Sequence, residues 1–135
     1  MIKTLNLPYS KSISNRLLIM HCLSKSQLPL THLSNSDDTL LLSNIISHIA
    51  KQTSNTFHTK NAGTTTRFLI ALLSTLEGEW KIEADERMNF RPVIPLIEAL
   101  KQLGADIEIN SETKIFPIKI KGKKLQSEKT IQLNS

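Results

Sequence analysis

The chain reads as an α/β protein whose helices lie inside its sheet rather than outside it. Two observations predict this. Short strand-like stretches alternate with helical apolar runs, with no linker or low-complexity segment between them. Two of the helical runs, Leu17–Leu23 and Phe68–Leu73, are apolar almost all round and so need cover on every side, whereas a helix on one face of an open sheet keeps a polar outer stripe. The polar segments that open these helices must still reach water or a ligand, because the first amides of a helix have no partner within it.

The elements follow in order. Ile2–Leu7 suits a short strand, which Pro8 prevents from continuing as a central one. Ser10, Lys11, Ser12 and Ser14 form the serine-capped entry to the first helix, expected to be buried. Leu28–Leu33 fits a strand. Ser34-Asn35-Ser36-Asp37-Asp38 opens a second helix, with Leu40, Leu41, Leu42, Ile45, Ile46 and Ile49 at helical spacing. A loop over Thr53–Thr59 has room for a brief strand. Asn61–Arg67 opens the third helix, and Glu79–Ala84 alternates in strand fashion around Trp80 and Ile82. Pro92 suits the first turn of a fourth helix that runs to Leu103 and stops at Gly104. Ala105–Ile109, Phe116–Ile120 and Thr130–Leu133 read as strands, so the expected order is β-α-β-α-(β)-α-β-α-β-β-β.

Composition narrows the function classes. With 135 residues, 39% apolar and 21% charged, the chain can bury a core without disulfides or metal. Its one cysteine, Cys22, sits in an apolar run and reads as a buried, inert thiol in a reducing compartment. The first residues lack a long apolar stretch, and no run approaches the roughly 18 residues that cross a bilayer, so a cytoplasmic protein without a membrane partner is expected. The net charge of +5 raises the question of nucleic acid. Most of that surplus comes from lysines after Ser111, where Phe116 is the one aromatic and no stacking platform or nucleic-acid motif accompanies them; a solvated strand face is the better account. The four histidines, His21, His32, His48 and His58, lack metal-ligand spacing, and no serine-histidine-acid order, P-loop or dinucleotide fingerprint is present.

The arginines are more telling. Lysine supplies the routine surface charge, yet Arg16, Arg67, Arg87 and Arg91 all fall in three short polar segments beside apolar runs. The arginine fork suits phosphate and carboxylate. In the first segment, Leu7–Arg16, a helix starting near Ser12 puts Arg16 one turn on and Lys11 at the entry, which makes either a phosphate cup or a serine cap with two surface cations. In the second, Asn61–Arg67, Gly63 allows an anion close to free amides, or serves simply as a helix cap. In the third, Asp85–Pro92, Arg87 and Arg91 precede a helix start, where the dipole disfavours them; Asp85 and Glu86, or an anionic ligand, would compensate. Asp37 and Asp38 are favourable to the dipole, and capping accounts for them.

These segments resemble a known family. The run Leu7-Pro8-Tyr9-Ser10-Lys11-Ser12-Ile13-Ser14-Asn15-Arg16 is similar to the opening signature of 5-enolpyruvylshikimate-3-phosphate synthases (3-phosphoshikimate 1-carboxyvinyltransferases). Three more matches follow in that family's order: Ser36-Asp37-Asp38; Asn61-Ala62-Gly63-Thr64 with Arg67; and Arg87-Met88, Arg91-Pro92 and Leu100–Ala105. Together they span most of the chain. The sister family acting on a UDP-amino sugar has a different first motif.

The resemblance implies an inside-out α/β barrel-type domain of βαβαββ units with buried helices, the enolpyruvyl transferase fold, here incomplete. Residues 1–9 would be a strand and hinge belonging to the other domain, and 10–135 part of the N-terminal substrate-binding domain. It implies a monomeric transferase of the shikimate pathway, serving chorismate and aromatic amino acid biosynthesis. Such an enzyme moves the enolpyruvyl group of phosphoenolpyruvate onto the 5-hydroxyl of shikimate-3-phosphate and releases phosphate, without metal or organic cofactor. Lys11 would touch both substrates and act in catalysis. Ser12 and Arg16 would bind shikimate-3-phosphate, and Gly63 and Arg91 phosphoenolpyruvate, in the place that glyphosate takes. Asp37 and Asn61 are further candidates. Phe68 stands where many members carry proline, which leaves inhibitor sensitivity open. The family continues beyond a Ser135-like position into a Ser-Ser-Gln motif and later acid/base residues, so about its first third is expected here, inactive alone. The alternative is a non-catalytic anion-binding fragment of the same fold.

Overall fold

The computed structural model describes residues 7–111, 114–126 and 130–131. Helix α1 spans Lys11–Ser24 and α2 spans Asp37–Lys51; β1 (Thr56–His58), α3 (Gly63–Thr75), β2 (Gly78–Glu83), α4 (Ile94–Gln102), β3 (Asp106–Glu108) and β4 (Ile118–Gly122) follow. From β1 onward this is one βαβαββ unit. Its four strands lie in the order β1-β2-β4-β3, with β1 parallel to β2 and β4 antiparallel to both neighbours. Phe57, Ile82, Ile107, Ile118 and Ile120 face the core, while Lys81, Glu108, Lys119 and Lys121 alternate onto the other face, the period-2 pattern of a half-buried sheet.

Helix α3 is the centre of the packing. It touches α1, α2, α4, β2 and β4, and buries Thr65, Thr66, Leu69, Ile70, Leu72, Leu73 and Ser74. This is the cover that its all-round apolar run demands. Its C-terminal end is closed by two donors, Trp80 Nε1 to the Leu76 carbonyl (2.9 Å) and the Lys123 amide to the Ser74 carbonyl (3.1 Å). Thr66 Oγ1 donates to Thr59 Oγ1 (2.8 Å) inside the core and ties the other end to the β1–α3 loop.

The serine caps form as read. Ser10 accepts from the Ile13 amide and Ser36 from the Thr39 amide, both at 3.4 Å, and Asp37 and Asp38 occupy the first turn of α2, where the dipole favours them. The two helices are joined by buried polar contacts: the Ser34 amide donates to Ser14 Oγ (2.8 Å), and Thr39 Oγ1 to Asn15 Oδ1 (2.8 Å).

Several expectations are corrected. Helix α1 is not buried all round: it packs on α2 and α3 through Ser14, Asn15 and Leu18, while Ile13 (61% exposed), Leu17, Met20 (63%) and Leu23 lie open. No element among the described residues lies against that side, so the apolar run meets only half of its cover. Leu28–Leu33 forms no strand, since it has no ladder partner; the Leu28 carbonyl is bonded instead to His21 Nε2 (2.7 Å). Pro95, not Pro92, takes the first-turn position of α4. Thr130 and Ile131 are irregular, and the rest of that expected strand, like Ile2–Asn6, lies outside the described residues. Cys22 is half-buried and free; burial pushes its thiol up, which keeps it protonated and unreactive at neutral pH.

Gly122, at the end of β4, has no sequence signal beyond being glycine within an alternating strand. A Cβ there would run into the Leu76 carbonyl and come within 2.5 Å of the Leu73 carbonyl oxygen, so only glycine lets β4 close on the end of α3. Gly122→Ala is expected to cost roughly 1–3 kcal/mol or more, as overpacking against rigid backbone does. Urea unfolding followed through Trp80 fluorescence measures it, and unchanged stability would mean that the strand end is not locked.

Candidate functional site

The predicted site residues come from three segments and meet around the first turns of α3. Arg16 lies on α1 with its guanidinium carbon 6.0 Å from the centre of the Phe68 ring of α3. Its Nη1 donates to the Ser12 carbonyl oxygen (3.1 Å) and to Ser12 Oγ, so one turn of α1 holds Ser12 and Arg16 as a unit. Lys11, the first residue of α1, places Nζ 3.1 Å from Asp38 Oδ2 at the start of α2. Asp38 is in turn bonded to α3, its carbonyl oxygen accepting from Thr65 Oγ1 (3.1 Å).

On another side of the same helix end lies Arg91. A Cβ built on Gly63 would stand 3.1 Å from Arg91 Nη1 and 3.3 Å from its Cδ, so the arginine covers the glycine backbone. Gly63 is the first residue of α3 rather than its cap, and the Ala62 cap position offers no side-chain acceptor to the free amides. Among the described residues neither Arg16 nor Arg91 has a carboxylate within 4 Å.

The electrostatic argument about the third segment changes. Arg87 and Arg91 precede the start of α4 as read, Arg91 two residues before its Val93 cap, but they also belong to a 3-10 turn, Glu86–Phe90, with Arg87 in its last turn and Arg91 at its C-terminal cap. The end of the turn favours a cation where the start of α4 disfavours one, so the two backbone dipoles offset each other at Arg91. What keeps Arg91 open to an anion is its lack of an acidic partner, because Asp85 is bonded to Asn61 Nδ2 (2.9 Å) and faces His58 at 3.7 Å.

Asp37 and Asn61 lie beside this arrangement, next in the chain to Asp38 and to the Ala62 cap of α3. They line a hollow of about 320 Å³ with Asp38, Lys60 and Asp85, and Asp38 in turn pairs with Lys11. Among the described residues no three histidine, cysteine or acidic side chains gather within metal-ligating reach, and no helix is long and apolar enough to cross a membrane. The Lys11–Asp38 pair was not legible in the sequence, since 27 residues separate its partners.

A family model described as EPSP synthase (3-phosphoshikimate 1-carboxyvinyltransferase) matches residues 47–134. The chain belongs to the EPSP synthase family. Among curated relatives, 3-phosphoshikimate 1-carboxyvinyltransferase of Bacteroides fragilis (strain YCH46) is 41% identical over 97% of this chain and 31% of its own length. The enzyme of the same name from Pseudomonas syringae pv. tomato is 37% identical over 86% of this chain and 32% of its own length. The chain thus spans about a third of the length of the relatives it matches. An EPSP synthase structure from Acinetobacter baumannii superposes with a TM-score of 0.68 at 17% identity, covering 97% of this chain and 33% of that one, and so shares the fold, the inside-out α/β class.

In this EPSP synthase-family chain, Gly63→Ala is expected to separate stability from whatever anion binding Arg91 supports. The added methyl has room except toward Arg91, which must give by a few tenths of an ångström. Replacing a helical glycine stabilises a fold by about 0.4–1 kcal/mol. Displacing Arg91 should weaken phosphate-type ligands by about threefold to tenfold, part of the 1.5–3 kcal/mol of a charge-assisted bond. Thermal unfolding and an NMR titration with phosphoenolpyruvate should therefore move in opposite directions; tighter binding by the variant would exclude Arg91 from the ligand's shell.

Proposed function

We propose that this chain supplies the substrate-binding helix ends of a 3-phosphoshikimate 1-carboxyvinyltransferase. One observation carries the reading: Arg16, with Lys11 near it, and Arg91 approach the opening turns of α3 from different segments, with Gly63 bare beneath Arg91. Arg16 and Arg91 have no carboxylate partner among the described residues, so both forks are available to phosphate or carboxylate. Family membership names the ligands that these groups would take.

In this reading Ser12 and Arg16 bind the phosphate of shikimate-3-phosphate, Gly63 and Arg91 hold phosphoenolpyruvate, and Lys11 reaches both. The 5-hydroxyl gives up its proton to a base and its oxygen adds to C2 of phosphoenolpyruvate as C3 gains a proton. The tetrahedral intermediate then loses phosphate from C2 and a proton from C3, which restores the enolpyruvyl double bond. Cations fixed before reaction stabilise the phosphate charge more effectively than reorganising water does, once the cleft is closed. Residues 1–9 belong with a second domain and 10–135 with the first. The complete protein acts as a cytoplasmic monomer, needs no metal or organic cofactor, and does not engage nucleic acid or membrane. Asp37 and Asn61, in the hollow shared with Asp38 and Ala62, are further candidate substrate contacts.

The 135-residue chain alone is expected to bind these anions weakly and to turn over neither, because the proton donors and acceptors for C3 are drawn from outside it. Phosphate release from both substrates by the purified chain, measured beside its Lys11→Ala variant, tests this; turnover that the variant abolishes would show that the chemistry needs less of the protein than assigned here.

In the full-length protein, Arg16→Ala should chiefly weaken shikimate-3-phosphate and Arg91→Ala chiefly phosphoenolpyruvate. Each loses roughly 1.5–3 kcal/mol, or about ten- to a hundredfold in affinity. Calorimetric titration of each ligand into each variant checks the split, and equal losses of both ligands in both variants would refute the assignment.

A further inference from the structure

The Lys11–Asp38 pair ties the start of α1 to the start of α2 at the surface, with unequal partners. Lys11 carries a flexible four-carbon stem at the exposed start of α1, with a side chain 51% exposed, and alone would spread its ammonium over many rotamers. Asp38 is the better-anchored partner. Its side chain is 26% exposed, its residue lies in the first turn of α2, and its carbonyl oxygen is tied to Thr65, a buried residue in the first turn of α3. The backbone that carries the carboxylate is thus held to two helices at once. Dipole capping requires no such link to a third helix, and it leaves unexplained why the carboxylate points at Lys11.

We propose that Asp38 is a positioning residue that fixes the Lys11 ammonium at the opening of α3, and thereby a determinant of ligand specificity. Its charge acts in two directions. By neutralising Lys11 it lowers the pull on any small anion; by immobilising the ammonium it favours a ligand whose phosphate and carboxylate are both held at set positions over one with phosphate alone. Free inorganic phosphate therefore gains little from the site, and phosphoenolpyruvate gains more. This rests on the assignment of Lys11 as a substrate-touching group, and its failure can be told from the failure of that assignment.

The test uses the 135-residue chain, with Asp38→Asn as the isosteric neutral variant and Asp38→Glu as the charge-conserving one. The Thr65 bond goes to the backbone of residue 38, so it persists in both, and Trp80 fluorescence reports that the fold is kept. In the ligand-free chain the Lys11 side-chain ammonium resonance, assigned by its loss in Lys11→Ala, should be resolved from solvated lysines. It should merge with them in Asp38→Asn and return in Asp38→Glu. A resonance unaltered in Asp38→Asn overturns the inference whatever the ligands do.

In parallel, NMR titrations with phosphoenolpyruvate and inorganic phosphate give a preference ratio. Asp38→Asn should bind inorganic phosphate more tightly and lower the preference for phosphoenolpyruvate by about threefold to tenfold, up to the size of one well-placed charge-assisted bond. In a Lys11→Ala background the same substitution should leave the ratio unchanged. A ratio that Asp38→Asn does not lower, or lowers equally without Lys11, overturns the inference while leaving the site standing. A wild-type chain that prefers neither anion removes the site reading itself, and the inference with it.

Discussion

Helix α3 has apolar or small side chains on every side of its middle turns, and they can be hidden only if other elements surround it. That constraint organises the rest. The sheet takes one side of it, α2 and α4 flank it, and α1 rests against its first half. Once its flanks are closed, the backbone groups of α3 can be served only at its two ends. At the C-terminal end Trp80 and the chain after β4 satisfy the carbonyls, and Gly122 allows the strand to come that close. At the N-terminal end no side-chain cap is supplied and cations assemble instead. Burial of the helix body and chemistry at the helix tip are two results of one packing problem.

Much of this was legible because it follows from local patterns. The unbroken apolar run after Arg67, the alternation around Trp80 and Ile82, and the serine entries to α1 and α2 each specify an element without reference to the remainder of the chain. What was misread depends on distance. The same reasoning that correctly buries α3 wrongly buries α1, because an apolar run states that cover is needed and not whether a neighbour provides it. Leu28–Leu33 failed likewise: strand propensity is realised only beside another strand.

The site residues divide along the same line. Ser12 and Arg16 are four apart on one helix, so their pairing could be anticipated from periodicity. The approach of Arg91 to Gly63 and of Lys11 to Asp38 depends on how separate elements are stacked, which spacing does not encode. Arg91 reached the expected neighbourhood for a different reason from the one its sequence context suggests. It closes a short 3-10 turn as well as leading into α4, and the Asp85 carboxylate before that turn is taken by Asn61.

The outer face of the sheet has a consequence for how quickly ligands arrive. Lys121 stands across from Asp106 and Glu79, Lys119 stands between Glu108 and Lys81, and Lys81 contacts Glu83 at 2.6 Å, so the three lysines of this face are interleaved with four carboxylates. Opposed charges at this spacing cancel beyond about a Debye length, so the sheet projects almost no field into solution despite its many ionised groups. The long-range attraction felt by an incoming anion must originate elsewhere on the surface, among cations that lack such opposite numbers. Encounter rates should accordingly be insensitive to swapping a lysine with its facing acid on the sheet, and that face can be redesigned for solubility or labelling without disturbing diffusional capture.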